Sequence, residues 1–548
     1  MSLKPSLIEA VPSETICVAR AAFPKGNLYI SMRDELGVLF KDADFAELFP
    51  RRGQPAFAPW RLALITIMQF LENLSDRQAA DAVRSRIDWK YALGLKLTDS
   101  GFDHSVLSGF RERLVDGEKQ SLLLDRMLEL LRAKNLLKVR GKQRTDSTHV
   151  FASIRVMNRL EMVVETMRAA LNQLATVAPE WLAQISKPEW FERYSLRAEQ
   201  SRLPNSAKAR EAFAASVGGD GFLLLNLISE QQPDLLKLEK VETLRKVWHQ
   251  HYTSSEEGEV RWRVGKETLR AAASIESPYD IEARYSRKDV TKWTGYKVHF
   301  SETCDEKLPH LITNVYTTPA TTQDVTATAD IQQLLQEKGL LPSLHLVDAG
   351  YVDADLLVQS AEKHGIELFG PTRSNTSWQS RTGGIDAAQF EVDWDNRQAI
   401  CPAGKRSVSW IERQLKKRNM DRVVNVKFRR RDCLNCDNRA RCVRSEIGAP
   451  RQLYLQAREF HEAIKKARTL FSSGDQRDEY RKRAGIEGTV SQGIRRGTVR
   501  RAKYKGLQKT HLQQTATAAA INILRTVNYL NQLPIAKTRI SRFARLAQ

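Results

Sequence analysis

The spacing of apolar and polar positions divides the chain into helical and extended stretches. Residues 28–136 read as helical. Within them Phe57–Leu74 (FAPWRLALITIMQFLENL) is apolar on most faces and carries Pro59 near its start, the pattern of a buried helix. Ser75 lies three residues before Gln78, a capping-box spacing that opens a second helix along DRQAADAVRSR. A turn around Leu97–Gly101 precedes a short helix at Ser105–Leu114. Gln143–Ala152 (QRTDSTHVFA) reads as a strand, and from about 156 to 280 the pattern is helical again, with breaks predicted near Pro204–Asn205 and Gly218–Gly221. Strand character returns at Gly295–Cys304 and His310–Thr317. There follow a helix Asp324–Glu337 capped by Asp324 or Thr322, a strand Leu344–Val347, a helix Asp353–His364 and a strand Ile366–Phe369. Two antiparallel strands followed by alternating helix and strand predict an α/β mixed fold, a mixed sheet with helices on its faces.

Residues 373–450 break that pattern, being polar and cysteine-bearing, and 455–530 read as helical. The stretch after Pro534 holds Lys537, Arg539, Arg542 and Arg545 with no acid, and is expected to be loose or to contact DNA. At 548 residues the chain exceeds one ordinary domain, and 42% hydrophobic residues suffice for packed cores. Lys and Arg number 86 against 65 Asp and Glu, a formal charge of +21, which makes a polyanion, nucleic acid first, the expected partner. The N-terminal helices expose Arg84, Arg86, Arg111 and Arg113 in a helix-turn-helix-like arrangement, against which stands a plain helical bundle with solvated arginines. No secretory pattern opens the sequence, and no uninterrupted apolar run reaches the roughly 18–20 residues that cross a bilayer, so a cytoplasmic protein without membrane contact is expected.

Three carboxylates carry the chemistry. Asp146 sits inside an apolar-to-hydroxylic strand, where an unpaired charge costs several kcal/mol; it should lie at an edge, be paired, or bind metal. Asp348 closes the apolar strand LHLV ahead of Ala349-Gly350-Tyr351, and the end of a strand in an α/β sheet is where ligands bind. Its neighbours Asp353 and Asp355 suit the first turn of the next helix. In Tyr480-x-x-Arg483-x-x-x-Glu487 the spacings of three and four put three side chains along one helical face. Between 481 and 509 stand ten Lys and Arg, including Arg495, Arg496, Arg500, Arg501 and Lys503, and Glu487 is the only acid. A solubilising face would mix its signs. This one fits a helix lying against phosphate that keeps one acid for metal.

Of six cysteines, Cys401, Cys433, Cys436 and Cys442 gather around a C-x2-C core, a candidate structural zinc site. Free thiols are the alternative, and Cys17 and Cys304 read as ordinary residues. Trp378, Trp394 and Trp410 alternate with Arg373, Arg381, Lys416, Lys417 and Arg418. Such a set can stack on unpaired bases, but filling a small core is the favoured reading.

The sequence resembles the DDE insertion-sequence transposases of bacteria, in the group whose last acid lies in a Tyr-x2-Arg-x3-Glu signature. The first acid matches in Thr145-Asp146-Ser147-Thr148, the second in Val347-Asp348-Ala349-Gly350-Tyr351, and the third in Tyr480-x2-Arg483-x3-Glu487. Gly295–His299, Phe110–Arg113 and Cys401–Lys405 support it, so the resemblance spans about residues 28–530. It departs where the signature has a Lys seven residues after the Glu; this chain has Ile494, with Arg495 and Arg496 beside it.

The resemblance implies a ribonuclease-H-like core in which Asp146, Asp348 and Glu487 hold two Mg2+ (or Mn2+) ions about 3.5–4 Å apart, while Tyr480 and Arg483 hold a DNA phosphate. The partners implied are double-stranded DNA, as terminal repeats and target, and a second copy in a homodimer. The expected domains are an N-terminal helical DNA-binding part (1–140), core segments at 141–155, 285–372 and 451–532, a helical insertion (156–284), a Cys-rich basic insertion (373–450) and a basic tail (533–548). A metal nuclease that cuts without joining, or a DNA-binding regulator that does not need the acids, are the alternatives.

Overall fold

The computed structural model describes all residues except 1, 4, 6, 7, 200–202, 255–258, 415–422, 446, 473, 535–541, 544, 545, 547 and 548. The predicted basic run Lys416–Arg418 and the tail cations Lys537, Arg539 and Arg545 thus lie outside the described residues. Contacts divide the chain into two units: Met1–Lys138 with Asp146–Thr322 and Ile486–Gln548, and Val139–Thr145 with Gln323–Gly485.

In the first unit the Pro59–Glu72 helix starts on its proline and buries twelve of its fourteen residues. Ser75 and Gln78 form the expected capping box on the Asp76–Ser85 helix. The arginines expected at the surface are largely spent inside this bundle. Arg86 is ion-paired with Glu72 and Asp88. Arg111 is buried against Asp76 at 2.5 Å, and Arg113 lies over Phe49. The helical domain that follows β1 (Lys142–Phe151) has its own core, including Leu160, Val163, Met167, Val217, Leu224 and Trp248. A short hairpin, β2 (Tyr252–Ser254) with β3 (Val260–Trp262), closes it.

The break expected at Gly218–Gly221 is absent: one helix runs unbroken over Ala207–Gln231. A Cβ on Gly221 would overlap the Trp248 indole, and one on Gly218 would lie 2.6 Å from the Tyr252 ring. These glycines allow close packing rather than a turn. By length and composition this helix is apolar enough to cross a membrane, but its Asp220 is paired with Arg193 at 2.5 Å and its Val217, Leu224 and Ile228 belong to the helical core.

Strands β4 (Arg284–Lys288) and β6 (Ile312–Pro319) both pair antiparallel with β5 (Thr291–Thr303), which also borders β1. Gly295, at φ +152°, lets β5 approach closely; a side chain there would overlap the Val150 carbonyl oxygen of β1. The Leu507–Leu530 helix packs on β6 and on the Pro59–Glu72 helix. Its buried Asn522 accepts from the Ile312 amide and donates to the Ile312 carbonyl, each at 2.8 Å, so its polar atoms are satisfied in the core.

In the second unit β7 (Leu344–Leu346) runs parallel to β8 (Glu367–Phe369) and to the first residues of β1. The Asp324–Glu337 helix has Gln323 at its N-cap with no side-chain cap, in place of the expected Asp324 or Thr322, whereas Asp353 caps the next helix as its position predicts. The Cys-rich segment is more ordered than its polarity suggests. It contains the hairpin β9 (Glu391–Asp393) with β10 (Gln398–Ile400), and an antiparallel sheet of β11 (Ser407–Arg413), β12 (Val423–Phe428) and β13 (Gln452–Gln456). Trp394 and Trp410 pack on its small core, as the favoured reading expects.

Candidate active site

Asp146 lies midway along β1: with Ser147 it is half-exposed, between buried Gln143, Arg144 and Thr145 on one side and buried Thr148 and Val150 on the other. Its Oδ1 accepts from the Ser147 amide at 2.7 Å. The register of β1 against β7 pairs Lys142 with Leu344, Gln143 with His345 and Arg144 with Leu346. Asp146 and Asp348 each follow two residues beyond the last of these pairs, each in its own segment. Behind Asp146, the Thr145 hydroxyl and His345 Nε2 lie 2.6 Å apart, and burial lowers the His345 ring to a pKa of about 4, so it is neutral.

Within the second unit, Asp348 Oδ1 accepts from the Gly350 amide at 2.7 Å and so caps the tight turn Ala349–Tyr351. A Cβ on Gly350 would be crowded by two carboxylates, 2.9 Å from Asp348 Oδ1 and 3.2 Å from Asp324 Oδ2. Asp324, which the sequence suggested only as a cap, therefore turns its carboxylate toward the same glycine. Arg483 Nη2 is 3.8 Å from Asp348 Oδ2. Tyr480 packs edge-on against Phe369 and Phe471, which pins its helix beside the end of β8.

The signature Tyr480-x2-Arg483-x3-Glu487 does not lie on one continuous helix. The Gly474–Arg481 helix gives way to a tight turn at Lys482–Ala484, and a new helix spans Gly485–Arg496. Arg144, buried on β1, donates to the Lys482 carbonyl, and its guanidinium occupies the space that a side chain at 485 would need. The intrusion of a charged side chain into the hydrogen-bond ladder explains the interruption.

In the first unit, Glu487 is exposed in the first turn of the Gly485–Arg496 helix, whose buried face carries Ile486, Thr489, Val490 and Gly493. Arg495, Arg496, Arg500 and Arg501 are exposed. Arg500 donates from Nε to the Thr148 hydroxyl at 3.1 Å, and its carbonyl accepts from the Phe151 amide at 2.8 Å, so a basic segment runs along the strand of Asp146. Lys503 is half-buried, with Nζ 5.3 Å over the Phe70 ring and 3.3 Å from the Leu74 carbonyl.

Among the described residues, no group of three or more His, Cys, Asp or Glu side chains is set to hold a metal ion. Cys401, Cys433 and Cys442 pack against the core of the small sheet, and the Arg451 amide points at Cys433 Sγ at 3.4 Å. Burial pushes the Cys442 thiol up, and the neighbouring thiols of Cys433, Cys436 and Cys401 push it further against the Arg451 guanidinium. Cys17 is exposed and Cys304 buried.

Residues 18–113 match the family described as Transposase domain (DUF772), and residues 400–527 match Transposase DDE domain. The two matches indicate a DDE-type insertion-sequence transposase. No curated protein and no solved structure matches the chain.

Proposed function

We propose that this protein is a DNA transposase that cuts at the ends of an insertion sequence and joins them to target DNA, with Asp146, Asp348 and Glu487 as its metal-holding acids. The observation that carries this reading is the parallel register of β1 and β7, in which Asp146 and Asp348 stand at the same step beyond the last paired residues. Asp146 is still within β1, where an even step returns a side chain to the same face, while Asp348 lies just past the end of β7 and caps the turn that follows. The strand neighbours support a ribonuclease-H-like core: β6 antiparallel to β5, β5 beside β1, then β7 parallel to β1 and β8 parallel to β7.

The donor set suits Mg2+, which prefers hard carboxylate oxygens. Asp146, Asp348 and Glu487 would hold two such ions, which would supply activation of an attacking oxygen and stabilisation of the leaving 3′ oxygen. The chain's own groups do the rest. Arg483 contributes a fork suited to a phosphate. Tyr480 fixes the helix that leads into the turn carrying Arg483, and Arg495, Arg496, Arg500, Arg501 and Lys503 add positive charge that attracts the backbone without reading bases. DNA is the partner the family matches imply. Action on two ends suggests a homodimer, and the N-terminal helices are assigned to end binding. The acid set is tested by incubating paired end duplexes with Mg2+ and resolving cleaved and joined products. Wild type should yield both, and Asp146→Ala, Asp348→Ala and Glu487→Ala neither, while all retain end binding. Joining by any of the three variants refutes the assignment; cleavage without joining by the wild type would favour a nuclease.

The four cysteines at 401, 433, 436 and 442 are proposed as a structural zinc site that braces the small sheet. Support comes from Cys401, Cys433 and Cys442 packing against one small core and from the amide aimed at Cys433 Sγ. Elemental analysis of the purified chain should find zinc, and its absence would reject the site.

A further inference from the structure

One buried ion pair stands behind the helix that carries Glu487. Glu302, on β5, is fully buried. Its Oε2 accepts from Arg525 Nη1 at 2.8 Å and from the Thr489 hydroxyl at 2.5 Å. Arg525 Nη2 donates to the same Thr489 oxygen at 2.6 Å, its Nη1 reaches the His310 carbonyl at 2.7 Å, and its Nε reaches Gln492 Oε1 at 3.1 Å. Three elements thus meet at one polar knot: the sheet, the last long helix and the Gly485–Arg496 helix. All of it lies in the first unit.

Such a knot is a poor way to gain stability, since a well-packed apolar trio of similar volume often does as well or better. What it adds is direction. Thr489 Oγ1 must accept from Arg525 while donating to Glu302, so its position is fixed from two sides, and Gln492 adds a second tether one turn on. Thr489 lies two residues beyond Glu487, about 200° round the helix. With Thr489 held against the sheet, Glu487 is turned outward, and it is exposed.

We infer that Glu302, Arg525 and Thr489 form a positioning device that sets the rotation of the Gly485–Arg496 helix and so aims the Glu487 carboxylate at the metal. The inference rests on the reading of Glu487 as a metal ligand. Metal affinity is tested by calorimetric titration of the protein–end-DNA complex with Mn2+, beside Mg2+ titration of end cleavage. Thr489→Val keeps the side-chain shape but removes both hydrogen bonds. It should weaken Mn2+ binding and raise the Mg2+ requirement by about 10-fold, the scale seen when groups behind metal ligands are lost. Thr489→Ser should restore both, and end binding in a gel-shift should not change in either variant. If Thr489→Val fails to fold, Gln492→Leu, which removes only the Arg525 Nε contact, should shift the metal titrations in the same direction. A folded Thr489→Val protein, or failing that Gln492→Leu, with wild-type Mn2+ affinity and Mg2+ requirement overturns the inference. Glu487→Ala separates the two levels: if it binds Mn2+ and cleaves normally, the ligand reading itself has failed. If it loses both while the Thr489 and Gln492 variants stay normal, only the positioning role is lost.

Discussion

Arg144 occupies the space that a side chain at Gly485 would fill, and donates to the Lys482 carbonyl beside it. Gly485 has ordinary helical angles (φ −61°, ψ −23°), so helix propensity alone would favour Ala there by about 1 kcal/mol. Arg144 is only 4% exposed and committed to a carbonyl, which leaves it little room to withdraw. Overpacking of this kind costs about 1–3 kcal/mol. The expected result for Gly485→Ala is therefore a net loss of stability in denaturant melts, partly relieved when Arg144→Ala is added. A variant more stable than the wild type would show that the guanidinium moves aside freely.

The glycines of the Ala207–Gln231 helix give an opposed pair of outcomes. Gly221→Ala drives a methyl into the Trp248 indole and should destabilise the helical domain by about 1–3 kcal/mol. Gly219→Ala meets no atom within 4 Å and should stabilise it by about 0.5–1 kcal/mol, because an interior helical glycine is entropically unfavourable. Thermal unfolding of the two variants checks both signs at once.

His251 gives the same domain a dependence on pH. Burial, with the nearby Arg159 charge adding to it, lowers its pKa from 6.5 to about 3, and Arg159 Nε donates to its Nδ1 at 3.1 Å, which requires a neutral acceptor nitrogen. In the unfolded chain the ring takes up a proton near pH 6.5, whereas in the folded chain it does not. The unfolded state thus binds more protons between about pH 6.5 and 3, and stability falls with pH across that window by about 1.4 kcal/mol per unit. Urea melts at stepped pH should show this slope, and His251→Asn should flatten it. An unchanged slope in the variant would place the effect elsewhere.

How much of this was visible in the chain depends on the range of the interaction. The Ser75–Gln78 box and the Asp353 cap are local, set by residues three apart, and both form as the sequence implies. The succession of strands and helices along the chain around Asp146 and Asp348 follows from periodicity and likewise forms, with β4 as an additional strand. Features that depend on a distant partner were not legible. Gly218 and Gly221 look like a break until Tyr252 and Trp248 are packed on them. Arg86, Arg111 and Arg113 look solvated until Glu72, Asp88, Asp76 and Phe49 are in place. The alternation in Val423–Phe428 was an available signal for β12, masked by the charges around it. Glu302 reads as one polar residue in a strand, and only the fold brings Arg525 to it, 223 positions away.

Arg483 supplies the most direct check on the proposed chemistry. At 3.8 Å from Asp348 its guanidinium is too far for a hydrogen bond to that carboxylate, yet close enough that the two charges hold each other's region. Its side chain is only 14% exposed, so the charge acts in a partly desolvated setting where it is worth more than on an open surface. Were its role merely to balance Asp348, Arg483→Lys would serve as well, because a point charge suffices. For a role in gripping phosphate the planar fork matters, and Lys is a poor replacement. Arg483→Ala should reduce end cleavage by about 10²–10³-fold, the scale for losing one preorganised donor to developing charge. Arg483→Lys should fall between Ala and wild type, and end binding should persist in both. Single-turnover cleavage of end duplexes gives the rates; full activity in Arg483→Lys would assign this side chain to charge balance and leave the phosphate to the arginines further along.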